Sequence, residues 1–320
     1  MIVAVIATFV GLAALAWSAD RFVDGAAAVA RYLGMPALLV GMLVIGFGTS
    51  APELVVSAFA AAGGQPELAF GNAMGSNIAN IGLILAVTVL VTPIVVHKGI
   101  LRRELPALLG VTVLLGVLTL DRRLSMADAL VLLGVLLALV VWSIWQARRS
   151  TDDDLAKDVE AEAAAHPLSR RAAWGWLIVG LVLLVVSSRV LVWGAVGIAK
   201  SLGWSDLLIG LTVVAIGTSA PELASSIAAA RKGENDLALG NVIGSNLFNT
   251  LGVVGLAGVI APAAVSSDLV VRDIPVAFAF STVLVVFALW PFGKGRVTRL
   301  EGGLLIAAYV AYVAWIFTST

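Results

Sequence analysis

Long stretches without a charged residue constrain this chain more than any other feature. Ten of them recur along the 320 residues, at 1–19, 32–52, 68–96, 105–120, 129–147, 172–188, 207–221, 237–267, 274–293 and 302–320. A helix needs about 20 mostly apolar residues to cross a bilayer. Hydrophobic residues make up 60% of the chain and charged residues 12%, against about 45–50% and 25% in soluble domains. The sequence therefore predicts an all-α membrane protein of ten transmembrane helices, surrounded by the lipid bilayer.

The basic residues are distributed unevenly among the loops. Fourteen of the 20 Lys and Arg residues follow predicted helices 1, 3, 5, 7 and 9, and only four follow helices 2, 4, 6 and 8. Because basic loops stay in the cytoplasm, we expect both termini to lie outside it and 148–171 to be a cytoplasmic linker. Its Asp152-Asp-Asp154 run is typical of a solvated segment, with an acidic regulatory calcium site as the alternative.

The chain repeats itself at a shift of 169 residues. Of the 33 residues at 48–80, 19 are identical to their counterparts at 217–249, without a gap. The repeat predicts two units, 1–147 and 172–320, of five helices each. Because five is odd, the second unit crosses the membrane with opposite polarity. Inverted repeats are typical of secondary transporters, which bind their substrate near the midplane where the repeats meet.

Glu53 and Glu222 occupy matching positions inside two predicted transmembrane helices, with uncharged residues on both sides. An acidic side chain at the centre of a span costs about 2.5–3.5 kcal/mol, so such residues usually have a function. The alternative is a structural carboxyl group, which is either paired with an arginine such as Arg21 or Arg189 or kept protonated as a hydrogen-bond donor. Their shared place in the repeat favours one central ion site.

Oxygen-bearing groups surround both glutamates. Thr49 and Ser50 precede Glu53 by about one turn, and Pro52 lacks a backbone donor, which frees a carbonyl in the preceding turn. The second repeat and the following helices supply equivalent groups, namely Thr218, Ser219, Pro221, Ser76, Asn80, Ser245 and Asn249. Hard oxygen ligands of this kind suit calcium and sodium rather than zinc or copper. Two ionised glutamates would neutralise one divalent cation.

These motifs resemble those of a known family. GTSAPE with GNAMGSNIAN, and again GTSAPE with GNVIGSNLFN, are similar to the two alpha repeats of the sodium/calcium exchanger family, within the calcium/cation antiporter superfamily. The alpha-1 motif covers 46–80 and the alpha-2 motif 215–249. The resemblance implies a prokaryotic antiporter of the bacterial or archaeal inner membrane that exchanges calcium for sodium by alternating access. We expect no enzymatic activity, no cofactor, no nucleic acid and no obligate protein partner.

The resemblance also implies which residues bind the ions. Helices 2, 3, 7 and 8 would surround four adjacent cation positions, and helices 1 and 6 would slide past them as a gate. Glu53 and Glu222 would hold calcium together with the backbone carbonyls of Thr49 and Thr218. Other carbonyls, hydroxyls and amides would complete the sodium positions and the middle of the site; they belong to Gly46, Ala215, Ser50, Ser219, Ser76, Ser245, Asn80 and Asn249.

One residue departs from the family pattern, and it leaves alternatives open. In exchangers of the family the position of Asn249 can be Asp, so the missing third carboxylate puts a three-sodium stoichiometry in doubt. A calcium/proton antiporter is the nearest alternative, because Glu can itself carry protons. A passive channel would need a symmetry axis normal to the membrane. An intramembrane hydrolase would need an oriented nucleophile–base pair, whereas His97 and His166 lie in predicted loops.

Overall fold

The computed structural model describes residues 1–35, 37–97, 100–149, 168–202, 219–289 and 295–319. Its helices are α1 (Ile2–Leu33), α2 (Ala37–Val40, π-helical Gly41–Gly46, Phe47–Thr49), α3 (Ala51–Ala62), α4 (Pro66–Ala79, π-helical Asn80–Leu85, Ala86–Val91), α5 (π-helical Ile100–Glu104, Leu105–Leu118), α6 (Met126–Arg149), α7 (Arg170–Ser201), α8 (Ala220–Arg231), α9 (Asn235–Phe248, π-helical Asn249–Val253, Val254–Ile260), α10 (π-helical Leu269–Asp273, Ile274–Leu289) and α11 (Arg299–Ser319). Its short strands are β1 (Ile94–Val95), β2 (Arg123–Leu124), β3 (Ala263–Ala264) and β4 (Arg296–Val297).

The described helices account for the ten predicted spans, wholly or in part. Seven of them, α1, α4, α6, α7, α9, α10 and α11, are long and apolar enough to cross a bilayer. The pair α2 and α3 forms an eighth span, which bends by 50° at its break. The fourth predicted span is α5, whose first residues include Arg102, Arg103 and Glu104. The seventh is α8, and the part of that span before residue 219 lies outside the described residues.

Helices α1 and α7, which are predicted helices 1 and 6, are longer than the uncharged stretches that predicted them. Each runs for 32 residues, whereas the stretches end at 19 and 188. In α1 the continuation carries Asp24, whose carboxylate lies 2.7 Å from the Lys232 ammonium at the end of α8. An ion pair lowers the cost of charge near the membrane interface, which lets the helix continue. Residues 150–167 of the predicted linker lie outside the described residues.

The internal repeat is visible in the backbone as well as in the sequence. The π-helical turn of α4 begins at Asn80 and that of α9 at Asn249, 169 residues later. The turns that open α5 and α10 show the same shift, from Ile100–Glu104 to Leu269–Asp273. Single π-helical turns are rare and often lie at functional sites. Their recurrence shows that the two halves share one fold.

Two short antiparallel ribbons link the repeats. Strand β1 of the first repeat pairs with β4 of the second, with Ile94 opposite Val297. Strand β2 of the first pairs with β3 of the second, with Arg123 opposite Ala264. Each ribbon connects the end of a central helix, α4 or α9, to the residues before α11 or α6. Backbone hydrogen bonds thus fasten each half to the other at both ends.

Glycines bring α1 and α7 into close contact along their length. A Cβ atom on Gly11 would stand 2.6 Å from the Leu191 backbone nitrogen, and one on Gly180 would stand 2.8 Å from the Phe22 Cα. These two contacts are related by the 169-residue shift. Between them, the hydroxyls of Ser18 and Ser187, also 169 residues apart, lie 3.4 Å from each other. The pair is therefore built around a local two-fold axis.

The α1–α7 contact predicts opposite effects of one substitution at two glycines of α7. Gly180→Ala places a methyl group against the Phe22 backbone and is expected to destabilise the protein by about 1–3 kcal/mol through overpacking. Gly175 has no described heavy atom within 4 Å of an added Cβ, so Gly175→Ala should be neutral or stabilise by up to about 1 kcal/mol. Thermal unfolding of the detergent-purified variants measures both. Equal melting temperatures for the two would contradict the packing described.

Candidate ion-binding site

The site begins at the break between α2 and α3. Ser50 has φ −83° and ψ 2°, outside the α-helical region, and the first backbone bond of α3 runs from Leu54 N to Ser50 O at 3.1 Å. Pro52 cannot donate a hydrogen bond to the carbonyl of Gly48. The carbonyls of Gly48 and Thr49 therefore lie between two hydrogen-bonded segments. Backbone of this kind at membrane depth is tolerated where protein, water or an ion satisfies it.

In the second repeat, Ser219, which precedes α8, has a similar backbone conformation. Ser219 has φ −90° and ψ 7°, and Leu223 N donates to Ser219 O at 3.1 Å. Glu53 and Glu222 each lie three residues after this serine, in the first turns of α3 and α8. Each glutamate therefore lies close in sequence to a serine whose backbone is not α-helical.

The structure brings the two glutamates together across the repeats. Both residues are 2% exposed, and the Ser50 hydroxyl donates to Glu222 Oε1 at 3.2 Å. Because Ser50 caps the helix that carries Glu53, the Glu222 carboxylate lies beside the first turn of α3. Two like charges in one buried place need a compensating positive charge, or a proton, to be stable.

No described Lys, Arg or His forms an ion pair with either glutamate. The Arg21 guanidinium lies over the rings of Trp17 and Trp176, at 5.9 and 5.4 Å from their centroids. Arg189 is exposed, and the described residues show no ion pair between it and either glutamate. The described residues therefore do not support the alternative in which an arginine satisfies these carboxylates.

Both glutamates have a buried oxygen without a hydrogen-bond partner, and so do several asparagines. Within the described residues, six buried side-chain polar atoms have no hydrogen-bond partner, and every one is an oxygen: Glu53 Oε2, Glu222 Oε2, Asn80 Oδ1, Asn249 Oδ1, Asn77 Oδ1 and Asn235 Oδ1. Four of the six belong to predicted ligands. A buried acceptor without a donor costs about 1–3 kcal/mol. A group of acceptors without donors has the chemistry of a cation site.

The other predicted ligands are also buried where the structure describes them. Ten of the twelve are described and all ten are buried: Gly46, Thr49, Ser50, Glu53, Ser76, Asn80, Ser219, Glu222, Ser245 and Asn249. The Ser245 hydroxyl donates to the Gly46 carbonyl at 3.2 Å, which joins α9 to α2. Ala215 and Thr218 lie outside the described residues. Among the described residues, there is no group of three or more His, Cys, Asp and Glu that could hold a metal ion.

A family model described as sodium/calcium exchanger protein matches residues 3–145 and 172–318. The chain belongs to the sodium/calcium exchanger family. It is 45% identical over 320 residues to CaxA of Alkalimonas amylolytica, covering 100% of both chains. It is 39% identical over 328 residues to the inner membrane protein YrbG of Escherichia coli (strain K12), covering 99% of this chain and 98% of the relative.

A solved structure of the sodium-calcium exchanger NCX_Mj matches this one with a TM-score of 0.84 and 30% sequence identity, over 98% of each chain. The fold is therefore that of an all-α membrane exchanger, with ten transmembrane helices in two inverted five-helix repeats, as the sequence predicts. Membership in this family makes the protein a transporter of cations. The two segments that match the family model flank the predicted linker.

Asn241 of α9 contacts two of the predicted ligand residues, Thr49 and Glu222. Its Nδ2 lies within hydrogen-bond distance of Glu222 O at 3.1 Å, Ser225 Oγ at 3.0 Å and Ser226 Oγ at 2.8 Å. Its Oδ1 accepts from the Thr49 hydroxyl at 3.2 Å. Asn241 thus joins the Thr49 side of the site to the backbone of Glu222.

The sequence contains a signal for this role. Asn241 and Ser226 both match identical residues in the first repeat, Asn72 and Ser57. There, Asn72 Nδ2 donates to Ser57 Oγ at 3.1 Å. The same pair of serine and asparagine occurs in both repeats. In each repeat the serine lies on the helix of the glutamate and the asparagine lies on the next helix. This recurrence indicates a contact between the two helices that both repeats retain.

Proposed function

We propose that the protein is a secondary active antiporter that exchanges calcium for sodium across the membrane by alternating access. The observation that carries the proposal is the group of buried, unpartnered oxygens around Glu53 and Glu222. Two ionised carboxylates carry a charge of −2, which one calcium ion or two sodium ions neutralise. Either load removes the unfavourable charge from a buried site, so one ion can replace the other at small cost.

The proposed ligands are those that the resemblance implies, and their burial and contacts support them. The calcium position would use the carboxylates of Glu53 and Glu222 with the backbone carbonyls of Thr49 and Thr218. The remaining oxygens would come from Gly46, Ala215, Ser50, Ser219, Ser76, Ser245, Asn80 and Asn249. The related structure of NCX_Mj comes from crystals soaked with Na⁺ and Ca²⁺, which supports these two ions as the substrates here.

Alternating access requires one part of the protein to move against another, and α1 with α7 is the proposed mobile part. The two helices pack tightly on each other through Gly11 and Gly180. Side chains make described contacts between this pair and the rest of the protein. Leu181 of α7 lies against Gly48 of α2, and Asp24 of α1 forms an ion pair with Lys232 at the end of α8. A pair that is rigid internally and held to the core by adaptable side chains can slide as a unit.

Calcium uptake into proteoliposomes tests the proposal. An outward sodium gradient is expected to drive uptake by the unmutated protein. Glu53→Gln and Glu222→Gln should each abolish it, because a neutral amide leaves the site without enough negative charge for calcium. Glu67→Gln is the matched control, since Glu67 is an exposed acid in the first turn of α4 and should transport at the unmutated rate.

Two outcomes would change the conclusion. Calcium exchange near the unmutated rate in a correctly folded Glu53→Gln or Glu222→Gln variant would remove the site assignment. Uptake driven by an outward proton gradient and not by a sodium gradient would identify a calcium/proton antiporter, in which the glutamates carry the returning protons.

The neutral side chain of Asn249 leads to a prediction about the number of sodium ions exchanged per calcium ion. With both glutamates ionised, three sodium ions would leave a net charge of +1 in a low-dielectric setting, where an unbalanced charge is costly. We therefore expect two sodium ions per calcium and an electroneutral exchange. Calcium flux at set sodium gradients should then reverse at the same gradient whatever the membrane voltage. A reversal potential that requires three sodium ions would refute the charge argument, whereas Asn249→Asp should permit a third sodium and make transport sensitive to pH.

We also propose that both termini lie outside the cytoplasm and that 148–171 links the repeats 1–147 and 172–320 on the cytoplasmic side of the inner membrane. The excess of basic residues after the odd-numbered helices supports this orientation. Reporter fusions to the C-terminus and to the linker test it. A reporter that is active only outside the cytoplasm should work at the C-terminus and fail in the linker, and the reverse pattern would overturn the orientation.

A further inference from the structure

A chain of amide groups crosses from α4 to α9 beside the site. Asn80 Nδ2 donates to Asn246 Oδ1 at 2.8 Å, and Asn246 Nδ2 donates to the Asn77 backbone carbonyl at 3.2 Å. Asn80 and Asn246 are 2% and 1% exposed. Protein groups, rather than bulk water, therefore decide which way each amide points.

The backbone carbonyl of Asn77 sets the direction of the whole chain. A carbonyl oxygen can only accept, so the nitrogen of the Asn246 amide must face it. The Asn246 oxygen then faces Asn80 and accepts a hydrogen bond, and among the described residues its donor is the Asn80 nitrogen. The Asn80 oxygen is left on the other side, where it is buried and unpartnered. Turning the Asn80 amide round would set two oxygens against each other at Asn246.

We propose that Asn246 is a positioning residue, which holds the Asn80 amide so that its oxygen, and not its NH₂ group, faces the transported cation. This inference rests on the proposed function of Glu53 and Glu222. An amide oxygen carries partial negative charge and can bind a cation, whereas the NH₂ group would repel it. Asn246 thereby makes Asn80 a ligand without touching the ion itself.

The equivalent amide in the first repeat does something else. By the 169-residue shift Asn77 matches Asn246, but its Nδ2 donates to the Thr250 hydroxyl at 2.7 Å. The first repeat has Ile81 at the position that matches Thr250, so no such hydroxyl competes for Asn246. Asn77 Oδ1 and Asn249 Oδ1 are both unpartnered. The hydrogen-bonded amides therefore fix the orientation of the Asn80 amide on α4. Within the described residues, the Asn249 amide on α9 has no matching restraint.

The test is the apparent KM for calcium in sodium-driven uptake, measured with the maximal rate. Asn246→Leu has nearly the same size but no polar group, and it should raise this KM about tenfold, the factor expected from the free energy of about one hydrogen bond. Asn80→Asp presents an oxygen in either orientation. In the Asn80→Asp background, Asn246→Leu should therefore change the KM less than about twofold. Asn77→Leu is the matched control and should raise the KM much less than Asn246→Leu.

The outcomes separate this inference from the proposed function. Equal effects of Asn246→Leu with and without Asn80→Asp would show that Asn246 does not act through Asn80 and would overturn the inference. An equal effect of Asn77→Leu would also overturn it, by showing a general packing defect. Should Asn246→Leu fail to give a monodisperse protein, the smaller Asn246→Ala replaces it in the same comparison. Unchanged transport in Glu53→Gln and Glu222→Gln would instead refute the proposed function.

Discussion

Two acidic side chains placed together inside a membrane protein dominate this structure. Glu53 and Glu222 come from different repeats, are both buried, and have no described basic partner. Cations or protons would offset the charge of these two carboxylates. Several buried oxygens of the predicted ligands have no donor, whereas one oxygen of Glu222 accepts from the Ser50 hydroxyl. In the proposed site, the backbone beside Ser50, the serine hydroxyls and the asparagine amides supply the oxygens for a cation that meets this electrostatic requirement. An exchanger needs such a site, because a site that is unstable when empty must be reloaded before the protein changes state.

Much of the fold could be predicted from the sequence because the bilayer imposes a length and a polarity on every span. The uncharged stretches predicted the ten spans, and the 169-residue repeat predicted that they form two inverted halves. The bounds were less accurate: α1 continues to Leu33 because charged residues such as Asp24 find partners. The repeated motifs pointed to the two glutamates and the hydroxyl and amide groups near them, and the resemblance to the exchanger family implied the full set of twelve proposed ligands. The ten that are described are all buried.

The contacts between the halves could not be predicted in the same way. Sequence spacing shows which residues share a helix face, but it does not show which helix from the other repeat they meet. The close contact of Gly11 with Leu191, the pairing of β1 with β4 and the bond from Thr49 to Asn241 each join distant parts of the chain. These contacts depend on how the inverted units dock, which is a tertiary property.

The two repeats differ in their hydrogen bonds close to the proposed ion site. Ser50 donates to Glu222 Oε1, whereas no hydrogen bond between the matching Ser219 and Glu53 is present in the described part of the chain. Thr250 engages Asn77, and the first repeat has Ile81 in its place. If the halves were identical, the site would present the same ligands toward both sides of the membrane. Single substitutions between the repeats, such as Ile to Thr, therefore let an inverted duplication distinguish one side of its site from the other while the shared backbone is kept.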